Sequence, residues 1–261
     1  MLEFRTHINE QNKEWITLVH GFGGSSKIWH KQIRQLGKYY NLLLVDLRGH
    51  GKSKKIYLDT NYSLLDVCDD IIRVLDSLKI QKSHFVGISF GSLLILKLFE
   101  KHKNYIDKTI LAGAITSFTN LTRVLLWCVN FLKFILPNHI LYKLFAHIIM
   151  PKSNHKESRL MFIKEAKKLD RKVFNQWFTL VPNLKRFIQD LNPNYFNRPI
   201  LFISGKEDFL FSKEVHLFSL KSKNFNYRCI VGAGHVVNID RPIIFNNIVI
   251  EFLKSRNTIK K

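Results

Sequence analysis

Short apolar runs and longer helical repeats alternate along the chain. Trp15 to His20, Leu42 to Asp46, His84 to Ile88, Lys108 to Ala112 and Ile200 to Ser204 are mostly apolar and bounded by Gly, Pro or charge. Parallel strands covered on both faces have this appearance. Between the runs, Leu64, Val67, Cys68, Ile71, Ile72, Leu75 and Leu78 recur at intervals of three and four, which predicts an amphipathic helix. Ser63, with Asp66 three residues on, supplies a capping-box start for it. Phe90 to Phe99 is apolar nearly all round, as a helix in the middle of a domain would be. A last helix is expected from Pro242, with Asp240 beside it as a cap and an apolar face of Phe245, Ile248, Val249, Phe252 and Leu253. Strands alternating with helices in this way predict an α/β fold with a mostly parallel, doubly wound sheet.

One stretch breaks the rhythm. From Thr116 to Arg198 the pattern is helical throughout, with turn signals at Pro137, Pro151, Pro182 and Pro193, and strand character resumes only after Pro199. The expected organisation is therefore a core of residues 1–115 and 199–261, with residues 116–198 as a helical insertion between two strands of the sheet.

Composition narrows the picture without changing it. With 261 residues and 46% hydrophobic positions, the chain can bury a large core, and wholesale disorder is excluded. Cys68, Cys128 and Cys229 are too few and too scattered for a disulfide framework or a zinc motif, and their apolar neighbours predict buried free thiols. No apolar stretch suited to a secretory signal lies between Met1 and Lys13, and the greasiest segment, Val124 to Pro137, is too short for a bilayer span. These features predict a soluble, cytoplasmic protein. The balance of 41 Lys and Arg against 20 Asp and Glu leaves a formal charge of +21. The insertion alone carries +10 of it, from fourteen basic and four acidic residues. Such a charge speaks to partners rather than to fold.

The chemistry-bearing residues sit where strands should end. Gly87-Ile88-Ser89-Phe90-Gly91 closes an apolar run and opens a helix. A nucleophile elbow needs that context: a sharp strand-to-helix turn that exposes the serine hydroxyl, with glycines where side chains would clash. At the start of its helix, Ser89 also lies where backbone N–H groups favour developing negative charge. A serine still needs a base and a group to orient that base, in the chain order Ser, acid, His. Asp208 follows the Ile200 to Ser204 run, and His235 follows the apolar run Cys229 to Val231 within Gly232-Ala233-Gly234-His235. Open α/β sheets build their sites at such carboxyl ends of strands. Glu207 is the competing acid, and Asp208 is preferred from its place in the motif. For the oxyanion, the amide of Phe90 is one candidate donor. The amide of Phe22, in His20-Gly21-Phe22-Gly23-Gly24 after the first apolar run, is the other.

Taken jointly, His20-Gly21-Phe22-Gly23, the segment Asp46 to Ser53, Gly87 to Gly91, Asp208 and Gly234-His235 resemble the α/β-hydrolase fold superfamily over nearly the whole chain. The resemblance implies an acyl-transfer hydrolase with a Ser89, His235, Asp208 triad. It also implies a helical cap between strands six and seven, and a structural turn at Asp46, Arg48 and His50 without catalytic duty. It implies no cofactor. The segment before Trp15 is shorter than the family pattern and leaves room for one strand. The expected activity is serine hydrolysis of an ester, thioester or lactone with a small to medium apolar acyl group, through an acyl-enzyme on Ser89. The alternatives on the same triad are a C–C bond hydrolase, a lyase-like synthase or a cofactor-free haloperoxidase. A non-catalytic ligand sensor with the same fold is a further alternative. Phe22, Phe90, Trp127 and Phe131 are the expected pocket residues.

Other signals fall away. Gly51-Lys52-Ser53 imitates the end of a phosphate-binding loop, but Asp46 stands where its first glycine is required. Eleven histidines include no His-Glu-x-x-His pair, so no metal site is expected. No nucleic-acid motif accompanies the positive charge, so no nucleic-acid partner is expected. Trp127, Phe131, Phe134 and Ile135 lie on a basic, amphipathic segment suited either to peripheral contact with an anionic membrane or to the wall of the acyl pocket.

Overall fold

A computed structural model describes residues 1–57 and 62–255; positions 58–61 and 256–261 of the expected core segments lie outside it. Seven strands form one sheet: β1 (Phe4–His7), β2 (Trp15–Val19), β3 (Asn41–Val45), β4 (Ser83–Ile88), β5 (Ile106–Ala112), β6 (Ile200–Gly205) and β7 (Phe225–Ile230). Their spatial order is β1-β3-β2-β4-β5-β6-β7. Every neighbouring pair is parallel except β1 with β3. The α/β, doubly wound expectation matches this sheet. Only one strand precedes Trp15, so the long helical excursion falls between the fifth and sixth strands of this chain instead of the sixth and seventh.

Burial explains why the central strands read as unbroken apolar runs. Every residue of β3, β4 and β6 is buried, which requires helices on both faces of the sheet. At the edge, β7 buries only its two ends.

The helices are α1 (His30–Leu36), α2 (Leu64–Ser77), α3 (Phe90–Lys101), α4 (Asn120–Leu132), α5 (Asn138–Ile149), α6 (Lys156–Ala166), α7 (Arg171–Phe178), α8 (Val181–Gln189), α9 (Ser212–Ser219), α10 (Val237–Asp240) and α11 (Pro242–Lys254). The capping box at the start of α2 forms as its sequence predicts, with the Ser63 hydroxyl accepting from Asp66 N and the Asp66 carboxylate accepting from Ser63 N. Helix α11 begins at Pro242, but Asp240 does not cap it. That carboxylate accepts instead from Gly234 N at 2.8 Å. Helices α4 to α8 all fall between β5 and β6. Of the cysteines, Cys68 is buried, Cys128 is half-buried and Cys229 is exposed. Cys229 departs from the expected burial because it sits on the edge strand. No helix among the described residues is long and apolar enough to cross a membrane.

One buried cation secures the C-terminal helix to the sheet. Lys108, on β5, is 7% exposed, and its Nζ donates to the carbonyls of Phe252, Leu253 and Ser255 at 3.2, 2.8 and 2.5 Å. The ammonium thus satisfies the orphan carbonyls at the end of α11 and sits at the negative end of the helix dipole. Lys108→Met should lower the unfolding free energy by about 1–3 kcal/mol in a urea titration, since charged hydrogen bonds are lost at a buried helix end.

Candidate active site

At the end of β4 the backbone turns sharply into α3, and Ser89 sits at the turn with φ +53° and ψ −119°. A non-glycine residue in this region stores about 1–3 kcal/mol of strain and persists only where its surroundings enforce it. Here Ser89 N donates to Ala112 O at 2.9 Å, and Ser89 O accepts from Ser92 N at 2.9 Å and from the Ser92 hydroxyl at 2.5 Å. The flanking glycines are required by space. A Cβ on Gly91 would lie 2.3 Å from Val19 O, and one on Gly87 would lie 2.7 Å from the Gly91 backbone.

Three side chains meet at this turn. His235 Nε2 lies 2.9 Å from Ser89 Oγ, and His235 Nδ1 lies 2.8 Å from Asp208 Oδ2. Asp208 and His235 are buried, at 2% and 4% exposure. The ordered reading is that Nδ1–H donates to the carboxylate, which leaves Nε2 to accept from the hydroxyl. Both partners come from loops that follow β6 and β7, and the Asp240 carboxylate on Gly234 N steadies the histidine loop.

Glu207 faces elsewhere. Its carboxylate accepts from His155 Nε2 at 2.7 Å and from Asn154 Nδ2 at 2.9 Å, and pairs with Lys152 at 3.2 Å. These bonds hold it below the usual carboxylate range, the one from Asn154 most of all. His155 is fully buried and lies so close to Gly234 that a Cβ there would meet its ring at 2.7 Å. The acid next to Asp208 therefore ties the segment between α5 and α6 to the loops that carry Asp208 and His235. Sequence spacing holds no signal for a contact between residues 52 positions apart.

The loop after β2 is held by two imidazoles. His50 Nδ1–H donates to Arg48 O at 2.8 Å, so its Nε2 is free to accept from Gly23 N at 3.0 Å. His20 Nδ1–H donates to Gly21 O at 2.8 Å, and Nε2 accepts from Leu47 N at 3.0 Å. Burial lowers both pKa values; His50 falls to about 3, with His20 adding repulsion. Each ring is therefore neutral near pH 7, as its acceptor role requires. Asp46 completes the turn by accepting from Ser26 N at 2.6 Å and Lys52 N at 2.9 Å. The chain before Ser53 thus braces the loop that carries Phe22.

Phe90 N opens α3 and has no intrahelical carbonyl to bond. The Phe22 ring packs on Phe90 and on Tyr142, Phe174 and Trp177 of α5 and α7, with centroids 5.7–6.4 Å apart. Trp177 also donates its indole N–H to Arg48 O at 3.1 Å. Gly23, at φ +74°, is pressed by the Tyr142 ring, 2.8 Å from where a Cβ would lie. The Tyr142 hydroxyl is buried and has no hydrogen-bond partner among the described residues.

Over Ser89 and His235 lies a cavity of about 200 Å³. Its wall includes Phe22, Phe90, Leu125, Leu126, Val129 and Phe178, and among the described residues lining it there is no Lys, Arg, Asp or Glu. Of the four residues expected at the pocket, Phe22 and Phe90 line this cavity. Trp127 and Phe131 do not: they are 68% and 57% exposed and lie outside the lining. Helix α4 turns Leu125, Leu126 and Val129 inward, and the two aromatics follow on its opposite side.

Elsewhere, Glu14, His84 and Asp107 gather at the amino ends of the parallel strands, away from Ser89 and His235. Nε2 of His84 faces Glu14 at 3.9 Å and Nδ1 faces Asp107 at 3.5 Å. The carboxylates thus address different nitrogens of an imidazole whose pKa is lowered by burial.

The family model for the alpha/beta hydrolase fold matches residues 14–135. The chain adopts the α/β-hydrolase fold. The enol-lactonase structure from Burkholderia xenovorans superposes with a TM-score of 0.80 at 21% identity, covering 97% of this chain and 96% of that one. The structure of MenH from S. aureus gives 0.80 at 17% identity, covering 97% and 98%. Among curated proteins, "Putative carbamate hydrolase RutD" of Yersinia enterocolitica is 28% identical over 102 residues, which are 39% of this chain and 36% of that protein. The 3-oxoadipate enol-lactonase 1 of Acinetobacter baylyi is 35% identical over 88 residues, 34% of this chain and 32% of that protein. The matched region thus spans about a third of each curated relative's length.

The neutral His50 has a measurable consequence. The unfolded chain takes up this proton near pH 6.5, the folded chain only near pH 3, so in that window the unfolded state binds more protons. The stability tied to His50 is full above about pH 6.5 and is lost as pH falls toward about 3. His50→Gln should flatten the fall by up to about 1.4 kcal/mol per pH unit, read from urea melts at several pH values; equal slopes would count against it. Tyr142→Phe removes a buried hydroxyl without a partner and should leave stability unchanged or raise it by about 1 kcal/mol. A clear loss in the same melts would mean that the hydroxyl is bonded.

Proposed function

We propose that the protein is a serine hydrolase that cleaves an ester, thioester or lactone of a small to medium apolar acyl group. The observation that carries the reading is the hydrogen-bonded line from Ser89 Oγ through His235 to Asp208 on the floor of an apolar cavity. Ser89 Oγ attacks the acyl carbonyl carbon while His235 Nε2 takes its proton, and Asp208 orients and stabilises the imidazolium. The amides of Phe22 and Phe90 hold the tetrahedral oxyanion, each such donor contributing about 3–4 kcal/mol. The imidazolium then protonates the leaving oxygen or sulfur as the bond to it breaks. Water, activated by the same imidazole, releases the acid and restores Ser89.

The cavity supports the choice of acyl group. Its volume of about 200 Å³ is below the ~300–1,000 Å³ usual for drug-sized ligands. A wall without ionic side chains cannot compensate a buried carboxylate or ammonium, so an ionic acyl chain would meet the full desolvation cost. The names of the relatives, a carbamate hydrolase and an enol-lactonase, agree with acyl transfer to water as the class of reaction.

Ser89→Ala should reduce aryl-ester turnover by about four to six orders of magnitude and leave the urea midpoint near that of the parent. The parent, but not the variant, should be labelled by a fluorophosphonate. Across p-nitrophenyl esters of increasing length, kcat/KM should rise and then fall within the short to medium range. A folded parent that is neither labelled nor active on any ester of the series would refute the reading.

A further inference from the structure

Helix α4 is apolar on two opposite sides. At about 100° per residue, Leu125, Leu126 and Val129 share one side and line the cavity. Leu121, Val124, Trp127 and Phe131 share the other, at 50%, 56%, 68% and 57% exposure. The turn that follows adds Phe134 and Ile135, exposed at 74% and 64%. The Trp127 and Phe131 rings stack, with centroids 6.2 Å apart and planes 9° apart, and both stay open to the outside. An outward apolar surface of this extent is a contact surface.

Charge selects what covers it. Between Asp107 and Glu157 the chain contains no acidic residue, and α4, α5 and the turn between them carry Arg123, Lys133 and Lys143. Lys133 holds its ammonium over the Phe134 ring at 5.1 Å, so a cation lies directly beside the exposed aromatics. A second copy of the chain would bring the same cations and the same formal +21 against this face, whose own helix and turn contain no carboxylate. An anionic bilayer supplies both missing elements: negative headgroups for the cations, and an interface in which Trp and Phe are at home.

We infer that the outer face of α4 with the turn at Phe134 and Ile135 docks the protein peripherally on an anionic lipid surface. The inner face of the same helix is a wall of the cavity, so docking would set that cavity next to the membrane. The inference does not depend on the proposed reaction, because its readout is binding.

The test is sedimentation of the full chain with phosphatidylcholine vesicles containing or lacking phosphatidylglycerol, at about 0.05 and about 0.5 M salt. Co-sedimentation is expected with the anionic vesicles at low salt and should weaken at high salt. Trp127 fluorescence should shift to the blue on binding, with Trp127→Phe as the control that removes the shift. The double variant Trp127→Ser with Phe131→Ser should bind about tenfold more weakly or less, while its turnover of a short soluble ester stays at the parent value. A parent that ignores anionic vesicles overturns the inference, as does a double variant that binds like the parent. A dimer in sedimentation velocity that the double variant dissolves, without vesicle binding, assigns the face to a second copy and also overturns it.

Discussion

The candidate site depends on one backbone residue held where side-chain-bearing residues rarely go. Ser89 at positive φ is the geometric device that turns β4 into α3 and brings the hydroxyl within 2.9 Å of His235 Nε2. The strain is offset by bonds from Ser89 N to β5 and from Ser92 to Ser89 O, and by the contact of Gly91 with the end of β2. Three strands therefore converge on the turn.

A second tier of constraint comes from neutral, buried imidazoles. His20 and His50 each use one ring nitrogen as donor and the other as acceptor, and so join backbone segments that have no strand between them. Charged residues could not do this, since a buried cation offers no acceptor. The helices between β5 and β6 are fastened to the same loops: Tyr142 on Gly23, Trp177 on Arg48, the Ser25 hydroxyl on Glu165 at 2.8 Å, and Glu207 on His155. The roof of the cavity thus leans on the loops that place Phe22, Asp208 and His235. The site loops and helices α4 to α8 are therefore held by shared contacts.

The surface follows a different logic. Inside, the cavity wall avoids ionic groups; outside, the same helix keeps large apolar groups in the open among cations. Both faces of α4 read alike in sequence, because hydrophobicity records that a side chain avoids water but not which neighbour relieves it. Trp127 and Phe131 therefore resemble pocket residues in the sequence and lie outside the cavity in the fold.

Much of the architecture was legible in residue order, because it rests on local rules. Apolar runs without alternation report strands covered on both sides, and the Ser63 capping box marks the start of its helix. The glycines around Ser89 mark a place where chain segments pass too closely for a Cβ. Even the order Ser, Asp, His along the chain could be read, since each residue follows a recognisable strand. Contacts between distant segments had no local signature: Glu207 on His155, His50 on Gly23, Lys108 at the end of α11, and Asp240 on the histidine loop in place of its own helix. Each of these is a choice among several polar partners that the sequence offers equally. Only packing in three dimensions selects one of them, because the free energy of a hydrogen bond or ion pair depends on which groups lose their water together.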